Sequence, residues 1–86
     1  MPQISNFFGI IIRMHFGDHP PPHFHAEHQG ERATFDFDGN VLRGEISSRV
    51  ARRLIQRWAQ QREHELMVNW RCIEGGLPLN RIAPLE

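Results

Sequence analysis

The sequence predicts an α+β fold: a small, mainly antiparallel sheet in the order β-β-β-β-α-α-β, with two helices packed on one face. Three observations predict it. From Phe7 to Ile46, apolar and polar residues alternate with a period of two, interrupted by Gly, Pro, Asn and Asp clusters. From Ser48 to Glu74, apolar residues recur at helical spacing. The chain has 86 residues, which suits a single domain (1–86) with one sheet layer and one helix layer.

The first strand is expected where Phe8, Ile10, Ile12, Met14 and Phe16 alternate with Phe7, Gly9, Ile11, Arg13 and His15. Gly17 to Pro22 breaks it and forms a loop. His23 to His28 follows as strand two and Gln29-Gly30 as a turn. Strand three runs from about Arg32 to Phe37, and Asp38-Gly39-Asn40 is a hairpin signal. Strand four, Val41 to Ile46, is weakened by Gly44. Ser47 or Ser48 caps a helix whose apolar stripe is Val50, Ala51, Leu54, Ile55, Trp58 and Ala59. A second helix carries Leu66, Trp70 and Ile73, has Glu63 and Glu65 near its N-terminus, and stops at Gly75-Gly76 and Pro78. One helix over 48–74 would be about 40 Å long and would overhang so small a sheet. A break near Gln61-Arg62 is therefore expected. Leu79 to Leu85 is expected as an edge strand limited by Pro84.

Strand alternation then assigns the faces. Ile10, Ile12, Phe24, Ala26, Phe35 and Phe37 should meet the helices. Arg13, His15, His23, His25, Glu27, Arg32 and Asp36 should line the open face. Trp58 and Trp70 fall on the apolar stripes and belong to the core.

Composition excludes several classes. The net charge is zero, so no bulk field draws the protein to nucleic acid. The longest apolar run, Phe7 to Ile12, is too short to cross a membrane as a helix. Cys72 is the single cysteine, which rules out an internal disulfide and suits a reducing, cytoplasmic setting. A small core, a first strand apolar on both faces and an unpaired edge together suggest a homodimer.

The chemistry concentrates in residues 18–28, Asp-His-Pro-Pro-Pro-His-Phe-His-Ala-Glu-His, which hold four of the six histidines. The prolines stiffen the lead-in and can span only about 9–10 Å, so Asp18 stays within reach of strand two. His23 and His25 alternate onto one face and can share a divalent metal such as Zn²⁺, Mn²⁺ or Fe²⁺. Asp18, His15, His19 and Glu27 are the further ligand candidates. Without metal, His23 or His25 can act as a base beside Asp18 while Arg13 binds phosphate, as ribonucleolytic cleavage requires. The bland alternative is a hydrogen-bonded Asp–His pair that locks the loop. Arg49, Arg53 and Arg57, with Arg52 alongside, form a basic stripe that suits nucleic-acid phosphates, an acidic partner protein, or simple solvation. No Ser/His/Asp order and no phosphate-cradling Gly-rich loop is visible.

The runs Phe8-Gly9-Ile10, Ile12-Arg13-Met14 and Asp18-His19 through Pro21-Pro22-His23-Phe24-His25 resemble a small bacterial family, domain of unknown function 4160 (DUF4160). The likeness continues through Trp58 and Trp70 to Ile82-Ala83-Pro84-Leu85. Pro20 occupies the variable position of the Asp-His-x-Pro-Pro-His-x-His element. The resemblance implies an interaction module from a two-gene, toxin–antitoxin-like cassette that binds its cassette partner. It also leaves a transcriptional regulator open, and supplies no established catalytic residues. The competing readings from the residues are a small hydrolase or ribonuclease on the histidine face and a DNA-binding helical pair.

Overall fold

The elements run, in chain order, β1 (Gln3–Phe7), β2 (Ile10–Arg13), β3 (His23–His28), β4 (Glu31–Asp36), β5 (Val41–Gly44), α1 (Arg49–Gln61) and α2 (Glu63–Gly75). They are seen in a computed structural model, which describes residues 2–85. The strands form one antiparallel meander in the order β1-β2-β3-β4-β5, and the helices lie on one face of it. The α+β class and the helix layer match the sequence expectation.

The apolar run expected as a single first strand is folded in two. Phe8 (φ 50°) and Gly9 (φ 75°) make a two-residue turn that pairs Phe7 with Ile10. Hairpin turns of this kind need positive φ at both positions because only that twist matches the strands. Phe8 accepts it on the surface, 70% exposed. Apolar residues flank the turn on both sides, so the period-two pattern runs through it and hides it.

The terminal strand expected over Leu79 to Leu85 is absent: residues 77–85 carry no regular structure. The segment lies along β1 instead, where the Ile82 N–H donates to the Ile4 carbonyl at 2.8 Å. Pro78 and Pro84 remove the donors a longer ladder would need. Side chains clamp the segment. Trp58 Nε1 donates to the Ala83 carbonyl at 2.8 Å, and buried Asn69 exchanges two 2.9 Å bonds with the Asn80 backbone. The fifth strand thus comes from the N-terminus, and the C-terminal segment borders its outer edge.

Register places the faces as the alternation requires. Ile10, Ile12, Phe24, Ala26, Phe35 and Phe37 are buried against the helices, while His23, His25 and Glu27 lie half-buried on the other side. Phe24 stacks on Phe35 at 5.6 Å and meets Trp58 edge-on at 5.5 Å. Trp58 and Trp70 are core residues, and α1 and α2 divide at Arg62, as expected. Ser48 is the N-cap; its Oγ accepts from the Ala51 N–H at 3.1 Å. Gly76 closes α2 in the left-handed region. Val50, expected in the apolar stripe, is 68% exposed, while the next residue, Ala51, is buried with Ile55, Trp58 and Ala59. Among the described residues no helix is long and apolar enough to cross a membrane.

Gly39 marks the closest approach between sheet and helix. Its φ is +91°, and a Cβ there would sit 2.7 Å from Gln56 Cα in α1. Backbone cannot give way as a flexible side chain can. Gly39→Ala is expected to cost about 2–4 kcal/mol from the left-handed strain and the overpacking together. Urea unfolding measures it; an unchanged midpoint would contradict the clash.

Candidate metal centre and open sheet face

Turn chemistry builds the site. The two-residue turn at Gln29 (φ 50°) and Gly30 (φ 82°) pairs His28 with Glu31, and this fixes Thr34 opposite His25. On the other side of β3, Arg13 of β2 pairs with His25. The loop 14–22 leaves the end of β2 and returns at the start of β3, carrying Asp18 back over the sheet end.

Asp18, His23 and His25 converge. Asp18 Oδ2 lies 3.1 Å from His23 Nε2 and 3.0 Å from His25 Nε2. One ligand atom from each of the three lies within 4.8 Å of the others. All three side chains are partly buried, with exposures of 23%, 13% and 33% respectively. The second ring nitrogens are also engaged. His23 Nδ1 is 2.8 Å from the Pro21 carbonyl, and His25 Nδ1 is 3.4 Å from Thr34 Oγ1. A carbonyl oxygen can only accept, so His23 Nδ1 carries a proton, and Nε2 is left facing Asp18, either donating a second proton to the carboxylate or presenting a lone pair to a cation. The His23 ring packs 5.3 Å from Trp70, which restricts its rotation.

The other candidates lie around this centre. His15 packs edge-on to His25 with centroids 4.0 Å apart, outside the converging triad. Burial lowers the pKa of His15 first; the neighbouring His25 adds to this, and Asp18 opposes it only in part. Glu27 is turned to arginines instead: its Oε1 lies 2.9 Å from Arg13 Nη1 and 3.3 Å from Arg32 Nε. His19 is exposed in the loop and outside the triad. Arg13 therefore adjoins His25 in register while bonding Glu27.

On α1, Arg49, Arg53 and Arg57 are exposed along one stripe. Arg52 is committed elsewhere, its Nη1 donating to the Ile46 and Ser47 carbonyls at 2.6 and 3.0 Å.

Two residues of the open face escaped the sequence reading. Alternation from Arg32 puts Thr34 on that face without giving it a role, and Gly44 interrupts the pattern that would assign a face to Arg43. Both line an open concavity of about 660 Å³ beside the triad, with Arg13, His15 and His25. The Gln29-Gly30 turn could have yielded the Thr34–His25 pairing. Arg43 could not be placed so, because the β4–β5 register shifts between Thr34 and Phe35.

Residues 9–71 match the family described as Domain of unknown function (DUF4160). No curated protein and no solved structure matches the chain significantly.

Proposed function

The chain belongs to the DUF4160 family, and from its site geometry we propose that Asp18, His23 and His25 hold one divalent metal ion and serve a small metal-dependent hydrolase. One observation carries the reading: Asp18 Oδ2 faces two Nε2 atoms while the His23 Nδ1 proton is held by Pro21. In the neutral ring, the His23 lone pair and the carboxylate would repel. A proton on Nε2 or a metal cation between them removes that conflict, and the backbone carbonyl on the remote nitrogen supports the metal, being the usual partner of a metal-binding imidazole. Two histidines and one carboxylate suit Zn²⁺, Mn²⁺ or Fe²⁺ and leave coordination positions open for water and substrate. A metal there would supply an activated water at neutral pH and polarise the bond to be broken. The chain's own part is to orient the three ligands and to present Arg13 beside His25, where a guanidinium can offset negative charge on the reacting group.

The test is hydrolysis of an activated phosphodiester, bis(4-nitrophenyl) phosphate, by protein prepared without a nickel column and stripped with chelator. Adding back Zn²⁺, Mn²⁺ or Fe²⁺ is expected to restore activity. His25→Ala and Asp18→Asn should lower it by roughly 100-fold or more, since even outer partners of metal ligands are worth 10–100-fold. Activity that ignores the chelator would return the site to a metal-free histidine base. No activity with any of the metals would end the hydrolase reading.

A second reading is favoured by the exposed stripe of Arg49, Arg53 and Arg57 with Val50 at its start. Such a mixed basic and apolar surface suits an acidic partner protein, consistent with an interaction module of a two-gene, toxin–antitoxin-like cassette. A homodimer is compatible with it through the outer edge of β5, whose residues are all exposed. The single half-buried thiol, Cys72, supports a cytoplasmic setting.

A further inference from the structure

The open face carries a straight row of residues that meets the triad only at His25. Arg13 pairs with His25, His25 with Thr34, and Thr34 with Arg43. These residues cross four neighbouring strands on one face. Three interstrand steps make the row about 14 Å long at about 4.8 Å each. A guanidinium stands at each end, with an imidazole and a hydroxyl between. Arg32 stands one row away on the same face, its side chain 81% exposed. Glu27 offsets one of these three charges and braces Arg13 and Arg32 through its Oε1. The lining of the concavity beside this row therefore keeps a positive excess, three arginines against Glu27, although the chain as a whole is neutral. The concavity of about 660 Å³ lies over this row and reaches the triad at His25.

We propose that this row is a binding track for an anion bearing more than one phosphate, laid across the strands so that one phosphate meets Arg43 while another lies at His25 and Arg13. The track is too long for one phosphate to bridge its two ends. Guanidinium forks and a hydroxyl are donors matched to phosphate oxygens, and a cluster of them in a concavity raises the local anion concentration. The proposal rests on the metal-site reading for what happens at His25, but Thr34 and Arg43 have no part in that site. The spacing fits separate phosphates of a short nucleic-acid strand, whereas the two phosphates of a nucleoside diphosphate share one bridging oxygen and reach only one end of the row.

The experiment is calorimetric titration of the full chain, with and without Zn²⁺, using inorganic phosphate, ADP and a single-stranded hexanucleotide as probes. The hexanucleotide is expected to bind at least roughly tenfold more tightly than inorganic phosphate or ADP, and to weaken as salt rises. Arg43→Ala should cost roughly tenfold and Arg43→Glu more, while Zn²⁺ titration of both variants stays as in the parent. Arg43 is exposed at the sheet edge, so these variants leave the core intact. Tightest binding by the hexanucleotide upholds the track, and ADP binding as tightly as the hexanucleotide overturns it. Binding of every probe unchanged by Arg43→Glu, or no binding at all, overturns it. If the probes bind through Arg43 but Zn²⁺ does not bind the parent, the metal reading fails and the track stands.

Discussion

Zn²⁺ in excess is expected to raise the thermal midpoint of this protein by about 10–20 °C. A ligand that binds only the folded chain stabilises it by about 2.7 kcal/mol when its free concentration is 100 times Kd. For a domain of this size, each kcal/mol moves the midpoint by about 4–8 °C. The converging atoms come from residues 18, 23 and 25, and in an unfolded chain the loop and strand that bring them together are lost. His25→Ala and Asp18→Asn should each abolish most of the shift. They separate metal binding from loop locking through the metal-free midpoint. If the triad serves a metal, both variants remain within a few degrees of the parent when Zn²⁺ is absent, because their side chains are only partly buried. A parent midpoint unmoved by Zn²⁺ with a large metal-free loss in His25→Ala would make the Asp18–His25 bond a structural lock. Differential scanning calorimetry with and without chelator decides between them.

Trp58→Ala is expected to lower the thermal midpoint of the chain by roughly 12 °C or more. Trp58 is fully buried, packs 5.5 Å from both Phe7 and Phe24, and donates its indole N–H to Ala83. It thereby joins the N-terminal hairpin, the central strand and the C-terminal segment. Removing so large a buried ring costs about 3–5 kcal/mol. Total stability for 86 residues is only about 4–13 kcal/mol at the usual 0.05–0.15 per residue. Trp58→Phe keeps most of the apolar area and loses the hydrogen bond, so a milder loss of about 1–3 kcal/mol is expected. Far-UV circular dichroism against temperature measures both. A native-like transition in Trp58→Ala would mean that the sheet and helices hold together without this contact.

The histidine strand was legible because its evidence is local. His23 to Glu27 alternates strictly, prolines precede it, and Gln29-Gly30 follows, so the face of each of these residues follows from strand geometry alone. The division between the helices at Arg62 was legible for a different reason: a single helix would have outgrown the sheet. The nearness of Asp18 to strand two followed from the limited span of three prolines. What those signals lacked was the identity of the neighbours. Glu27 shares the face of His23 and His25 and read equally well as a ligand, yet it is held by Arg13 and Arg32. His19 sits among the other candidates in sequence and apart from the triad in space.

The sequence by itself determined the α+β class, the two faces of the sheet, the burial of Trp58 and Trp70, and the residues from which a site could be assembled. These follow from period, turn residues and length, each a property of a few consecutive positions. Only the tertiary structure decided that the first apolar run is a hairpin and that the C-terminal segment follows β1 without joining it as a strand. It alone set Asp18 Oδ2 between two imidazoles, and Arg13, His25, Thr34 and Arg43 in one row. Strand pairing is a relation between distant positions, set by the twist of a turn such as Phe8-Gly9 and by a register shift such as that after Thr34. A one-residue slip in either would reverse the faces while leaving every local pattern in the chain unchanged.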